Sequence, residues 1–217
     1  MMVSANEIHH MIRKASLAIG FDHDRATDIG AAAVWLAKHG QDGCRAVEAM
    51  LAATDTAFPP QIIIDKDQLM LASPRPAVEG IAALDWLIAH SAQGSVVMTN
   101  VAHGLLLFGL LGMAAGQYHR AFQLSVEGTD RQAMVTRSGC TDWTILLDHP
   151  DQEVALICLP PLALDNHNKA KDQNGHEDLL VAKDVWDRLA ALAYQTYVPS
   201  SEESRLSGAG AGLNDND

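Results

Sequence analysis

Apolar residues in the first quarter of the chain recur at helical intervals. Ser4 and Glu7 have the spacing of a capping box, and the apolar positions that follow keep a helical period until Gly20. Two further segments repeat this pattern before a proline-rich break at residues 58–60. The three predicted helices begin after Ser4, at Asp22 or Asp24, and near Gly43, and they end at Gly20, Gly40 and Ala53.

After this break the pattern changes to short strands interleaved with helices. Alternating or continuous apolar runs between turn residues predict strands, and longer periodic runs predict helices. The predicted strands are residues 61–65, 69–72, 95–101, 121–127, 132–136, 144–148 and 154–159. The predicted helices are residues 78–90, 105–115 and 181–194. This order predicts an α/β fold (mixed α+β), with the N-terminal helices packed on a mixed sheet.

The pattern predicts a single globular domain over residues 1–199. Its first part, residues 1–57, is helical, and residues 58–199 form a mixed α/β part. Residues 165–178 contain no core-forming side chain and are predicted to be a solvated loop. Residues 200–217 are rich in Gly, Ser and Asp and form a C-terminal tail.

Composition narrows the classes of partner. The 217 residues carry a net charge of −12, and an acidic surface repels nucleic acids and anionic membranes. The apolar run at residues 105–115 is too short to cross a bilayer and is predicted to be a core helix. Three distant cysteines and an N-terminus without an apolar signal segment predict a cytoplasmic protein with reduced thiols.

Asn100 and His103 follow the predicted strand at residues 95–101 and precede the apolar helix. Polar residues at such a joint often line ligand sites in open α/β folds. The His103 imidazole can exchange a proton with a bound oxygen near neutral pH, and Asn100 can orient a polar ligand. The alternative is a core histidine that bonds a backbone carbonyl or caps the next helix.

This joint resembles the type-2 malate/L-lactate dehydrogenase family. Its members carry Asn-Ser-x-His-Phe-Gly after such a strand; here Asn100 and His103 keep that spacing, and the Ser and Phe are absent. Their Gly-His-Asp-Ser-His-Gly-x-x-Arg segment corresponds loosely to residues 40–45, including Asp42 and Arg45. The resemblance implies that His103 is a catalytic acid/base, with Asn100 beside it, and that Arg45 meets a substrate carboxylate. The alternative for Arg45 is a surface arginine.

The same resemblance covers about residues 1–127 and implies a shortened dehydrogenase fold and a homodimer. NAD(P) is the cofactor that it implies, but the chain has nothing similar to the Gly-Thr-Asn-Pro segment near the family's cofactor. The cofactor therefore stays unknown. The chain also resembles an uncharacterised bacterial family, domain of unknown function 3726, over residues 4–36 and 197–217.

The tail offers a second, weaker ligand site. Its glycines allow close backbone approach to an anion, and nearby side chains add donors. The residues concerned are Ser204, Arg205, Gly208, Gly210 and Gly212. A dinucleotide fingerprint needs a preceding strand and a following helix, which this segment lacks, so the alternative is a frayed terminus. The histidines of the polar loop lack fixed ligand spacing, and no metal site is predicted.

Three functions remain open from the sequence. The first is a cytosolic small-molecule-binding protein on a shortened dehydrogenase-like scaffold. The second is an oxidoreductase that acts on a small 2-hydroxy or 2-keto acid with His103 as acid/base. The third, which depends only on net charge, is an acidic structural partner of another enzyme. The sequence does not decide whether the chain is an enzyme.

Overall fold

The structure is a computed structural model that describes residues 1–53, 61–90, 94–146, 153–159 and 178–196. The predicted tail at residues 200–217 lies outside the described residues, as does the predicted polar loop except for its last residue, Asp178.

The three N-terminal helices are α1 (Ala5–Ala18), α2 (His23–Lys38) and α3 (Gly43–Ala52). Ser4 and Glu7 form the predicted capping box on α1. Asp22 and Asp42 cap α2 and α3 by accepting the backbone N–H of the residue three positions later. Side-chain caps satisfy N–H groups that have no partner inside a helix, so these aspartates define where each helix begins.

Within the described residues the strands form one large mixed sheet and one two-stranded sheet. The strands are β1 (Met2–Ser4), β2 (Gln61–Asp65), β3 (Gln68–Ala72), β4 (Ser95–Thr99), β5 (Ala121–Val126), β6 (Gln132–Thr136), β7 (Gly139–Cys140), β8 (Val154–Leu159) and β9 (Asp178–Leu180). The large sheet has the order β2-β3-β4-β8-β5-β6-β7, and β1 pairs with β9. The β3–β4 pair is parallel, and the other pairs of the large sheet are antiparallel.

The apolar helix α5 (Gly104–Tyr118) is the centre of the fold, as the sequence predicted for residues 105–115. Phe108, Leu110 and Leu111 are completely buried. One side of α5 packs against β5, β6 and β7, and α2 and α3 pack on it from another side. The mixed α/β class is therefore confirmed, and α5 lies between the N-terminal helices and the sheet.

The remaining helices flank this core. A π-helical turn (Pro76–Gly80) leads into α4 (Ile81–Ala89), which contacts β4 and β8. The C-terminal helix α6 (Lys183–Tyr194) packs mainly on α1. In the described part of the chain, no helix combines the length and the apolarity that crossing a membrane requires.

The predicted strand at residues 144–148 is wrong over its described part, because residues 144–146 form a turn. The Asp142 carboxylate accepts the Thr144 backbone N–H at 2.9 Å and the Arg131 Nε–H at 3.0 Å. These bonds stabilise an Asx-type turn, so the segment does not pair as a strand. Ile145 and Leu146 are apolar because they are buried in the core.

The structure also corrects the predicted loop at its last residue. Asp178 pairs with Ser4 at the start of β9. This pairing joins residues far apart in the sequence, so local composition did not reveal it.

Candidate functional site

The end of β4 places Asn100 and His103 at the joint between a buried strand and a buried helix. Both residues have a left-handed backbone with φ of 52°. This conformation is uncommon for residues other than glycine, with Asn and His among the more tolerant types, and it occurs often at functional sites. Asn100 is exposed, and His103 is half-buried at the N-terminus of α5. The two side chains therefore lie in different environments.

The N-terminus of α3 carries Asp42 and Arg45. The Asp42 carboxylate accepts the Arg45 backbone N–H at 3.0 Å and the Arg45 Nε–H at 3.1 Å. The two side chains are 45% and 53% exposed, respectively. Arg45 is thus a surface arginine that forms an ion pair within its own helix, and its guanidinium lies beside a hollow.

A cavity of about 380 Å³ separates α3 from the β4–α5 joint. Polar groups of both elements and several apolar side chains line it. The lining residues are Asp42, Arg45, Ala46, Ala49, Val101, His103, Gly104, Leu105 and Leu146. The structure therefore brings His103, Arg45 and Asp42 to one cavity, whereas Asn100 is outside this lining set.

The cavity combines an apolar wall with a helix N-terminus and an ion pair. The N-terminal end of α5 carries the partial positive charge of a helix dipole, and Gly104 and Leu105 from its first turn line the cavity. Among the described residues, His103 gives α5 no side-chain cap. Arg45 adds a full positive charge, and the Asp42 carboxylate balances it, so an anion is attracted to Arg45 only where it displaces or shares the bond to Asp42. Such a lining fits a small anion that carries an apolar portion.

Sequence reasoning missed the apolar wall. Leu146 comes from the segment mistaken for a strand, and Ala46 and Ala49 lie on α3 without any motif. A Cβ added to Gly104 would lie 2.9 Å from the Leu146 Cβ. Gly104, which directly follows His103, is therefore the sequence signal for the close approach of α5 to Leu146.

Cys44 lies next to the site in sequence, but its thiol is shielded from solvent. Its side chain is buried, and burial together with the nearby Asp42 carboxylate raises the pKa of the thiol to about 12. A buried thiol with a raised pKa holds little thiolate at neutral pH, which disfavours a nucleophilic role for Cys44. In the described ranges, no three His, Cys, Asp or Glu side chains converge as metal ligands do.

Among the described residues, the turns after the parallel strands lack the glycine-rich loop that binds phosphate in many dinucleotide sites. Parallel strands β3 and β4 are each followed by a helix, but the connecting residues 73–80 and 100–103 lack a glycine-rich phosphate loop. The whole predicted tail site, Ser204, Arg205, Gly208, Gly210 and Gly212, lies outside the described residues.

The fold and site define an α/β protein with a small cavity, part polar and part apolar, at a strand-to-helix joint. Residues 3–94, less than half of the chain, match a family described as "Protein of unknown function (DUF3726)". This match confirms the resemblance to domain of unknown function 3726 in the N-terminal part of the chain, and the tail at residues 197–217 lies outside the matched residues. Among curated proteins, none matches the chain.

The solved structures that are similar to the chain include three dehydrogenases. Malate dehydrogenase from Entamoeba histolytica is 17% identical with a TM-score of 0.43, and the match covers 62% of this chain and 43% of that chain. Malate dehydrogenase from Pyrococcus horikoshii OT3 is 13% identical, with a TM-score of 0.45 and coverages of 63% and 47%. Sulfolactate dehydrogenase from Methanocaldococcus jannaschii is 15% identical, with a TM-score of 0.42 and coverages of 62% and 47%. The chain spans less than half the length of these dehydrogenases.

Proposed function

We propose that this chain binds a small organic anion, such as a 2-hydroxy or 2-keto carboxylate, in the cavity between α3 and the β4–α5 joint. One observation carries the proposal: Arg45 and His103, from separate parts of the chain, line the same cavity of about 380 Å³. A guanidinium matches the planar geometry of a carboxylate, and an imidazole can bond a neighbouring hydroxyl or carbonyl oxygen.

Asp42 competes with the ligand for Arg45. Its carboxylate already accepts the Arg45 Nε–H, so a bound anion must replace or share that bond. Both side chains are about half-exposed, and an ion pair in such a position contributes little to stability. Exchange of one carboxylate for another at Arg45 is therefore energetically inexpensive.

Replacing Arg45 by glutamine is expected to weaken carboxylate binding by about 10- to 100-fold. This is the size expected for the loss of a charge-assisted hydrogen bond at a partly exposed site. Calorimetric titration of the protein with L-malate and with pyruvate measures the change. Arg25→Gln is the matched control, because Arg25 pairs with the cap residue Asp22 of α2 just as Arg45 pairs with Asp42 of α3, but it does not line the cavity. Equal affinities in the two variants would remove the proposal.

Replacing Asp42 by asparagine is expected to have the opposite effect. Asparagine keeps a side-chain oxygen to cap α3, so the fold is retained, and loss of the negative charge frees Arg45 for the ligand. We expect the same titration to show an affinity several-fold higher than that of the unaltered protein. A weaker affinity would mean that Asp42 itself contacts the ligand, and the competition described above would then be wrong.

The alternative is an oxidoreductase in which His103 donates or accepts the proton of a 2-hydroxy or 2-keto acid. The position of His103 in the cavity lining beside Arg45 favours this reading of the same site. Titration with reduced nicotinamide cofactor tests it, since a ligand at a hundred times its Kd adds about 2.7 kcal/mol of stability. An unchanged melting temperature at millimolar cofactor would exclude the alternative while leaving carboxylate binding intact.

A further inference from the structure

Strand β2 exposes an unusual amount of apolar surface. All five residues from Gln61 to Asp65 are exposed, and Ile62, Ile63 and Ile64 have exposed fractions of 55%, 54% and 63%. In the described part of the chain β2 is an end strand of the large sheet, paired only with β3. An exposed end strand presents a row of backbone N–H and C=O groups that can pair with another strand.

The two faces of β2 continue the two faces of the sheet. Ile62 and Ile64 lie opposite the buried residues Leu71 and Leu69 of β3, on the face that the helices cover. Ile63 lies opposite Met70, on the other face. A strand added beside β2 therefore extends the apolar face next to Ile62 and Ile64, and it covers Ile63 on the other face, where polar side chains such as Gln61 and Gln68 also lie.

The sequence of β2 is complementary to itself in an antiparallel pair. If Ile63 faces Ile63 of a second copy, then Ile62 faces Ile64 and Gln61 faces Asp65. This register places apolar residues opposite apolar residues and an amide opposite a carboxylate at each end, with no like charges in contact. A shift by two residues in either direction places isoleucines opposite the polar ends.

We propose that two copies of this chain associate through antiparallel pairing of β2 with β2, centred on Ile63, so that the large sheet continues across a two-fold axis. A two-fold axis through the centre of the strand is the geometry in which one surface pairs with itself. Backbone hydrogen bonds hold the pair, and isoleucines on both faces leave water together. The proposal is independent of the cavity and of any ligand that it binds.

A cysteine substitution tests the register. In this pairing Ile63→Cys brings the two new cysteines to a Cα separation of about 4.5–5.5 Å, within the range for a disulfide. Ile62→Cys and Ile64→Cys are matched controls, since each faces the other position and its own copy lies about 8 Å away. All three variants are made with Cys140→Ser, which removes the half-buried native thiol. Mild oxidation is expected to give a covalent dimer for Ile63→Cys alone.

A charge substitution tests the association itself. Ile63→Lys is expected to raise the dimer dissociation constant about a hundredfold, because two lysines replace two buried isoleucines. Sedimentation of the full chain measures this change, and circular dichroism checks that the variant is folded. Leu180→Lys, at an exposed apolar residue of β9 that lies outside the proposed interface, is expected to leave the constant unchanged. A monomeric unaltered chain at tens of micromolar, or equal cross-linking of all three cysteine variants, overturns the proposal.

Discussion

Replacing Gly112 by alanine is expected to destabilise the protein by about 3 kcal/mol. A Cβ at this position of α5 would lie 2.1 Å from Cε2 and 2.3 Å from Cζ2 of the Trp35 indole. The indole cannot move aside easily, because its Nε1–H donates to the Arg137 carbonyl at 3.2 Å and its ring contacts the rings of His39 and Trp143. Thermal unfolding is expected to show a melting temperature lower by about 10 °C.

Gly116→Ala is the control on the same helix. The nearest atom to a Cβ there is the Arg137 Cβ at 3.8 Å, which is ordinary contact, so better helix propensity makes this change neutral or stabilising. Trp35→Phe combined with Gly112→Ala removes the indole atoms that clash. The penalty of Gly112→Ala is therefore expected to shrink in that background, and a fully additive double variant would show that the clash is not its cause.

Replacing Arg75 by methionine is expected to destabilise the protein by about 3 kcal/mol at neutral pH, at the lower end of the range for a broken buried ion pair. Glu79 is 6% exposed, and its carboxylate accepts the Arg75 backbone N–H at 2.9 Å and the Nε–H at 3.0 Å. Removal of the guanidinium leaves a buried carboxylate without its charged partner. Arg75 is itself partly exposed, which limits the loss.

The pH dependence identifies the cause. Burial raises the pKa of Glu79, but the hydrogen bonds from Arg75 outweigh burial and hold the pKa below its usual 4.5. The stability that this pair contributes is therefore fully present above pH 4.5 and is lost as the pH falls through the lowered pKa. Arg75→Met removes the side-chain hydrogen bonds and the charge that lower this pKa, so we expect the pKa of Glu79 to rise relative to the unaltered protein. The loss of stability in the variant is then expected to be greatest at neutral pH.

Denaturant unfolding from pH 7 to pH 3 measures this difference. The gap in unfolding free energy between the unaltered protein and Arg75→Met is expected to narrow on acidification. The double variant Arg75→Met with Glu79→Gln carries no charge at this site, so its stability is expected to lack this dependence. A gap that stays constant with pH would assign the effect of Arg75→Met to lost packing.

Local patterns predicted most of the elements because each pattern reports a short-range interaction. Helix starts at Ser4, Asp22 and Asp42 follow from caps that bond a backbone N–H three residues away. The strand predicted at residues 144–148 is wrong over residues 144–146, because Ile145 and Leu146 reach the core from a turn. That turn depends on Arg131, which immediately precedes β6. Alternation alone does not distinguish apolar residues that are buried in a strand from apolar residues that are buried in a turn.

The candidate site shows the same division. The sequence predicts one shared site for Asn100 and His103 because they are neighbours along the chain, yet of the two only His103 lines the cavity. Arg45 was predicted as a site residue from a loose motif match alone. The packing of α3 against α5 brings it to the same cavity as His103. The positions at which β4 ends and α5 begins decide which of the two neighbouring side chains faces the cavity.

The amino-acid order by itself determined the helix starts, the central apolar helix, the strand-to-helix joint and the mixed class of the fold, since caps, turns and periodicity act within a few residues. Only the tertiary structure decided that α5 separates the N-terminal helices from the sheet, that Leu146 closes a cavity, and that β2 remains exposed. Those outcomes depend on contacts between distant segments, such as Trp35 against Gly112, whose energy comes from close packing.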